Sequence, residues 1–185
     1  AGEALASATP ARRRQLLAYL PASRELVWPI AARDVIRLGL ERPDADRIAE
    51  IIGELELGAL ADRPADRLST GERARVLIGR VLAQQPAALL LDEPLSNLDP
   101  YWGLRTLAIL RRAANAGSAV LLALHDLSLL GAFDRAILMD DGAIVVEAQP
   151  DEILTHGGFE RVFRVRPTGG GGWALSPAAD PRSLP

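Results

Sequence analysis

The chain has 185 residues, 49% hydrophobic and 24% charged, a composition typical of a folded domain with one sizeable core. Its net charge of -3 argues against nucleic-acid binding, which normally needs a basic face. The absence of cysteine excludes disulfides and thiolate metal sites, and every apolar run is too short to cross a bilayer as a helix.

The first part of the chain predicts a strand and then a helical segment. RQLLAYL (14–20) is an apolar run that ends at Pro21, which indicates a short strand. Further along, DADRIAEIIGELEL (44–57) places isoleucine and leucine at helical spacing. We expect a small helical subdomain around this helix.

STGE (69–72) begins the next predicted helix. It has the spacing of a capping box, with Ser69 as N-cap and Glu72 at the third helical position. A helix N-terminus offers N–H groups and partial positive charge to a phosphate, and Gly71 lets a backbone approach closely. Taken alone, the pattern predicts only a well-capped helix, which ends before Pro86.

A strand–helix–strand unit follows. AALLL (87–91) is a continuous apolar run, typical of a parallel strand covered on both faces. A helix is predicted over 101–116 and a second buried strand over SAVLLAL (118–124), which together indicate a right-handed parallel crossover. RAILMDDGAIVVE (135–147) then predicts a hairpin that turns at Asp141-Gly142.

Acidic and histidine side chains follow the two strands of this unit. Asp92 and Glu93 end the first strand, and His125 ends the second. Because ligands of parallel α/β sheets bind beyond the carboxyl ends of the strands, we expect these side chains to converge. Asp92 could hold magnesium, and Glu93 could deprotonate a water that attacks a γ-phosphate. His125 could contact the phosphate and the water. Taken singly, Asp-Glu-Pro is typical of a turn and His125 of a surface group; their joint spacing favours a site.

Four motifs, in this order and spacing, resemble those of an ATP-binding-cassette (ABC) transporter ATPase. They correspond to its signature motif, Walker B motif, D-loop and switch histidine: LSTGE (68–72), LLLDEP (89–94), SNLDP (96–100) and LLALHDL (121–127). The segment 18–39 resembles the family's Q-loop region and is closest to ATPase subunits of importers for iron-siderophore complexes, haem or cobalamin. Over residues 14–165 the resemblance implies an α/β fold, a partial P-loop NTPase core with a parallel sheet plus a small helical subdomain.

The resemblance implies a role for each matched residue, with ATP and Mg²⁺ as cofactors. Asp92 corresponds to the magnesium-site acid, Glu93 to the general base and His125 to the γ-phosphate switch. The remaining matched residues would contact the nucleotide of the opposite subunit or communicate across the dimer: Ser69, Thr70, Gly71, Glu72 and Asp99.

The implied function is the ATP-binding and ATP-hydrolysing subunit of an importer that takes up a metal chelate. The implied partners are a second copy or a paired ATPase subunit, membrane permease subunits and, indirectly, a periplasmic binding protein, with no nucleic acid. The implied place is peripheral, at the cytoplasmic face of the inner membrane. An alternative is a degenerate, non-catalytic partner that supplies only its signature motif. A soluble cassette ATPase of DNA repair or translation is disfavoured, because the sequence has no coiled-coil insertion, tandem cassette or basic patch.

The sequence departs from the family pattern in three places. It contains no lysine, and AGEAL (1–5) resembles the strand that follows the Walker A helix, so we expect a fragment, or a gene without its first third, that is inactive alone. Ala22 stands in place of the Q-loop glutamine. Thr70 stands in place of the first signature glycine, where a β-branched side chain crowds the phosphate approach. Both substitutions favour partial decay, although Glu93 and His125 are intact.

Four parts are expected along the chain. They are a remnant of the N-terminal RecA-like part (1–21), a helical subdomain through the signature helix (22–85), a RecA-like part with Walker B, D-loop and switch histidine (86–156), and a poorly ordered C-terminal tail (157–185). The tail is expected from its glycine run at 169–172 and its four prolines.

Overall fold

The structure is a computed structural model that describes residues 3–168 and 172–176. It divides into two compact units, Ala1–His125 and Asp126–Pro185. The first unit contains α1 (Pro10–Leu16), β1 (Leu17–Leu20), α2 (Ala32–Arg37), α3 (Ala45–Glu54), α4 (Thr70–Ala83), β2 (Ala88–Asp92), α5 (Pro100–Asn115) and β3 (Ala119–Ala123). The second contains β4 (Ala136–Asp140), β5 (Ala143–Ala148), α6 (Pro150–Thr155), α7 (Gly157–Phe163), β6 (Val165–Pro167) and β7 (Trp173–Leu175).

A three-stranded parallel sheet with the order β1-β2-β3 forms the centre of the first unit. Leu20 pairs with Leu91, and Asp92 pairs with Ala123. The predicted parallel strand–helix–strand unit is therefore confirmed as β2, α5 and β3. Since β2 and β3 run in the same direction, their carboxyl ends lie at the same edge of the sheet.

The first strand is shorter than the sequence predicted. Residues 14–16 belong to α1, and the strand has only residues 17–20. Local chemistry explains the difference: the Thr9 hydroxyl accepts the Arg12 N–H at 3.2 Å, and Pro10 has a φ already suited to the first helical turn. The capped helix therefore continues through its arginine run before the chain enters the sheet.

The prediction that β3 is a buried strand is wrong. Val120 and Leu122 pack against the core, whereas Leu121, on the opposite face, is 52% exposed. The reason is that β3 lies at an edge of the three-stranded sheet and packs against α5 on one face. A continuous apolar run predicts burial on both faces only when helices cover both faces of the strand.

The hydrophobic core of the first unit surrounds α4. This helix packs against α2, α3 and β1, and its residues Val76 and Ile78 are inaccessible to solvent. Ile51 and Leu55, from the helix predicted over 44–57, pack into the same core, which confirms that prediction as α3. The N-terminus of α4 is thus fixed by a helix that is buried along most of its length.

Gly39 lies where the backbone after α2 meets α4. A Cβ at this position would lie 2.0 Å from the Arg80 carbonyl oxygen, and a backbone atom of a buried helix cannot move aside easily. We expect Gly39→Ala to lower the free energy of unfolding by about 1–3 kcal/mol, the usual range for overpacking. Urea unfolding measures this change.

Gly53→Ala is the matched control for that substitution. A Cβ at Gly53, on the exposed side of α3, would meet no atom within 4 Å outside its own helix. Alanine should therefore stabilise the helix there by about 1 kcal/mol. If the two variants unfolded at the same urea concentration, the tight contact at Gly39 would be refuted.

The second unit is built around the hairpin of β4 and β5, whose strands pair antiparallel. Asp141 and Gly142 have φ values of 46° and 76°, so both turn residues are left-handed, as a type I′ turn requires. The predicted hairpin and its turn are confirmed.

Part of the segment expected to be a poorly ordered tail is folded. Residues 157–163 form α7, and β6 pairs with β7. Phe159 is only 1% exposed; its ring centroid lies 4.8 Å from that of Phe163 and 5.7 Å from that of Trp173. These aromatic contacts anchor the segment, whereas the expectation was based on glycine and proline content. Three glycines of the run, at 169–171, lie outside the described residues.

Within the described ranges, no helix is long and apolar enough to span a membrane.

Candidate functional site

The structure brings Glu93 and His125 together where β2 and β3 end. Asp92 is the last residue of β2 and pairs with Ala123, the last residue of β3. His125 Nε2 lies 2.7 Å from Glu93 Oε1, so an imidazole N–H donates to the carboxylate. The His125 side chain is 83% exposed and that of Glu93 is 32% exposed. An exposed pair of this kind contributes little to the free energy of folding. The chemistry of the two side chains is therefore more informative than their contribution to stability.

A tight, hydrogen-bonded turn begins at Glu93. Glu93 has a φ of 49°, in the left-handed region, which costs a residue with a Cβ about 1 kcal/mol. Its carbonyl oxygen accepts the Ser96 N–H at 3.1 Å and the Ser96 hydroxyl at 3.0 Å. These hydrogen bonds stabilise the strained turn at the strand tip.

Arg24, from the segment between β1 and α2, also contacts this turn. Its guanidinium donates to the carbonyl oxygen of Ser96 at 2.6 Å and to the carbonyl oxygen of Glu93. Burial lowers the pKa of Arg24, and the Glu93 carboxylate opposes that shift. Sequence reasoning missed this residue, because one arginine in a mixed segment follows no recognisable spacing.

The signature-like segment lies at the N-terminus of α4. The Glu72 N–H donates to Ser69 Oγ at 3.3 Å, and the Ser69 N–H donates to Glu72 Oε2 at 2.8 Å, so the predicted capping box is confirmed. Thr70 is the exposed first residue of the helix. A Cβ on Gly71 would lie 3.3 Å from the carbonyl oxygen of Asn97, so this segment adjoins the turn that follows Glu93.

Asp99 caps the helix that follows the turn. Its carboxylate accepts the Trp102 N–H at 3.0 Å, at the N-terminus of α5. The structure therefore gives Asp99 a contact within its own chain, as it does Glu72. Contacts of either residue across a dimer remain predictions.

Arg75 connects α4 with its neighbouring helices and was also missed from the sequence. It is buried, lies 3.9 Å from the centre of the Trp102 ring and donates to the carbonyl oxygen of Leu55 at 2.8 Å. The cation–π contact joins the signature helix α4 to α5, and the hydrogen bond joins α4 to the end of α3.

A metal ion held by protein groups alone does not fit this site. Among the described residues, no group of three or more His, Cys, Asp or Glu side chains is arranged to hold a metal. Mg²⁺ in phosphate-transfer sites is usually held by one or two carboxylates together with phosphate oxygens and water. The half-buried Asp92 at the tip of β2 fits that mode, in which the metal arrives with a nucleotide.

The capping box predicts a pH dependence of stability. The hydrogen bond from the Ser69 N–H lowers the pKa of Glu72, aided by the Ser69 hydroxyl and by nearby arginines and opposed by desolvation. Because the folded pKa is lowered, the stabilisation is complete above the unfolded value of about 4.3 and is lost as the pH falls below it. We expect Ser69→Ala to cost about 1 kcal/mol at pH 7.

Urea unfolding of the wild type and of Glu72→Gln between pH 7 and pH 3 measures how much the charge of Glu72 contributes to the free energy of unfolding. The difference in the free energy of unfolding should shrink below about pH 4, since glutamine does not titrate. A constant difference over the whole range would show that Glu72 does not stabilise the fold through its charge.

Comparisons with known proteins agree on one family. A family profile described as ABC transporter matches residues 1–96. The hemin import ATP-binding protein HmuV of Streptomyces coelicolor is 40% identical over 155 residues, which are 79% of this chain and 55% of that protein. HmuV of Chelativorans sp. is 36% identical over 88% of this chain and 68% of its own length.

Solved structures show the same fold. A dimeric, post-hydrolysis ATP-binding cassette, MJ0796 bound to ADP and Pi, superposes with a TM-score of 0.67 at 24% identity, over 76% of this chain and 65% of that one. An ATP-binding subunit of an ABC transporter superposes with a TM-score of 0.73 at 23% identity, over 85% and 68%.

The chain spans about half the length of the first curated relative that it matches, the Streptomyces protein. The profile nevertheless covers residues 1–96 of 185, and the relatives exceed 30% identity. The P-loop NTPase type of α/β fold inferred from the motifs agrees with the solved neighbours. The chain therefore belongs to the ABC transporter family, as an ATPase domain of that family.

Proposed function

We propose that this chain carries the hydrolytic residues and the signature segment of an ATPase that drives haem import. The hydrogen bond between Glu93 and His125 at the strand tips is the observation that carries the proposal, because it places a base and a proton-bearing imidazole together. The relatives that match over most of the chain are named hemin import ATP-binding proteins, which favours haem among the metal chelates considered.

In the proposed reaction Glu93 acts as the general base. Its Oε1 is held by His125 Nε2–H, and its second carboxylate oxygen would accept the proton of the water that attacks the γ-phosphate. As negative charge builds up on the γ-phosphate, this single Nε2–H would pass from Glu93 to a phosphate oxygen. Asp92 would hold Mg²⁺, which supplies charge neutralisation at the phosphates when it is bound.

The signature segment would serve a second nucleotide. The Ser69 hydroxyl accepts the Glu72 N–H, and it could donate its own proton to a phosphate oxygen in place of the Glu72 carboxylate. We propose that Ser69, Thr70 and Gly71 contact ATP held by the opposite subunit in a head-to-tail dimer; that the structural neighbour is a dimer supports a paired assembly. Permease subunits, reached from the cytoplasmic face of the membrane, would be the remaining direct partners, and a periplasmic binding protein an indirect one.

A non-catalytic role is the second candidate. It is favoured by Ala22 and Thr70, which replace the glutamine and glycine of the family pattern. The intact pair of Glu93 and His125 favours the catalytic role, because a partner that supplied only its signature segment would not need that hydrogen bond.

Reconstitution tests the proposal. The complete gene product that carries this chain is placed with its permease in proteoliposomes, and ATP hydrolysis is measured with haem, a ferric siderophore or cobalamin on the substrate side. We expect hydrolysis that haem stimulates more than the other two ligands. Hydrolysis stimulated by the siderophore or cobalamin instead would refute haem, and the absence of hydrolysis would favour the non-catalytic role.

A further inference from the structure

We propose that Arg24 is a positioning residue that holds the turn carrying Glu93, and thereby sets the geometry of the Glu93–His125 pair. This inference rests on the proposed function for its consequence in hydrolysis.

The contact has the geometry of a fork placed across a turn. The Nη1 atom of Arg24 donates to the Ser96 carbonyl oxygen at 2.6 Å, and Nη2 donates to the Glu93 carbonyl oxygen. A planar guanidinium holds two acceptors at a fixed separation, which a flexible side chain with a single donor group cannot do. Arg24 therefore fixes both ends of the turn that begins at Glu93.

The turn needs such a partner. Glu93 is left-handed, at a φ of 49°, and Asn97 is left-handed as well, at 64°. Strained residues persist only when the surrounding contacts over-determine them. The Ser96 N–H and hydroxyl supply part of that constraint from within the turn, and Arg24 supplies the part that comes from a distant segment.

Burial makes this guanidinium a fixed element. Arg24 is 7% exposed, although the segment around it is open, with Val27 and Trp28 largely exposed. Both of its Nη atoms already donate to carbonyl oxygens, so Arg24 is placed to hold protein backbone. The nearby Glu93 carboxylate offsets part of the desolvation of the charge.

Nuclear magnetic resonance tests the proposal without any nucleotide. The chain has two histidines, His125 in the first unit and His156 in the second, so ¹⁵N labelling of imidazole gives one reporter and one internal reference. Glu93→Ala defines the ring ¹⁵N shifts of His125 without its carboxylate partner. We expect Arg24→Ala to move the His125 shifts at least halfway to those values and to leave the His156 shifts unchanged.

Two control variants separate positioning from general loss of packing. Arg47→Ala removes an arginine of α3 that likewise donates from Nη2 to a backbone carbonyl, that of Leu82 in α4 at 2.9 Å. Ile48→Ala removes a buried core side chain of α3, outside the Arg24 segment. Both variants should lower the urea midpoint and leave the His125 shifts unmoved. If they moved those shifts as far as Arg24→Ala does, the effect would be general and the proposal would fail.

Arg24→Lys decides the matter if the alanine variant does not fold. Lysine keeps the charge and most of the stem but loses the planar fork, so the His125 shifts should again move, by less than in Arg24→Ala. Wild-type shifts in the folded lysine variant would overturn the proposal. In the complete protein, Arg24→Lys should lower kcat by about 10-fold or more at an almost unchanged KM for ATP, because misplacing a catalytic group slows the chemical step.

The His125 ¹⁵N shifts and kcat test the role of Arg24 and the proposed function separately. A protein that hydrolyses no ATP refutes the catalytic role of Glu93, yet the His125 shifts still test whether Arg24 holds the turn. If the Arg24 variants moved the His125 shifts but left kcat unchanged, Arg24 would stabilise the turn without affecting hydrolysis. That result would refute its positioning role.

Discussion

Glu93→Gln is expected to abolish nearly all ATP hydrolysis by the complete protein. Glutamine keeps the size of the side chain and an oxygen that can accept from His125 Nε2, but it cannot take a proton from the attacking water. The loss of a general base typically lowers kcat by about 10²–10⁴-fold. ATP affinity should remain within about threefold of the wild type, because a group that acts in the transition state contributes little to ground-state binding.

The measurements are steady-state phosphate release and equilibrium binding of a fluorescent ATP analogue. Glu147→Gln is the matched control, since Glu147 forms an exposed ion pair with Arg135 at 3.1 Å in the second unit. It should hydrolyse ATP at the wild-type rate. Undiminished hydrolysis by Glu93→Gln would show that another group is the base.

His125→Ala is expected to have the second largest effect. It removes the imidazole N–H that holds Glu93 Oε1 before the reaction and that would pass to the γ-phosphate as charge builds up there. The loss of one such donor lowers kcat by about 10²–10³-fold. Because the His125 side chain is 83% exposed, the free energy of unfolding should change by less than about 0.5 kcal/mol.

The other histidine of the chain provides the control. His156 accepts the Gly158 N–H at 3.0 Å at the start of α7, so His156→Ala also removes a hydrogen bond. It should leave kcat unchanged. If both variants lost kcat equally, the loss in His125→Ala could not be attributed to its contact with Glu93 at the ends of β2 and β3.

The parts of the fold that sequence predicted well depend on local chemistry. The capping box needs only Ser69 and Glu72 at the right spacing, and the hairpin turn needs only two adjacent residues that tolerate positive φ. The convergence of Glu93 and His125 could be expected as well, because two consecutive strands with a helical crossover bring their carboxyl ends together.

The parts that sequence could not predict depend on distant contacts. Arg24 reaches carbonyl oxygens 69 and 72 residues further along the chain, and no local pattern marks that contact. The exposure of Leu121 depends on which face of β3 a helix covers. Phe159 is buried because Trp173 and Phe163 pack against it, which the glycine and proline content of the segment concealed.

A double-mutant cycle on kcat tests most directly whether Glu93 and His125 act as one catalytic unit. The wild type, Glu93→Gln, His125→Ala and the double variant are compared in single-turnover hydrolysis of ATP by the complete protein. Residues that act as a unit have strongly non-additive effects, so the double variant should be no more than about threefold slower than Glu93→Gln alone. A double variant slowed by the product of the two separate factors would show that the residues act independently and would contradict the proposed pair.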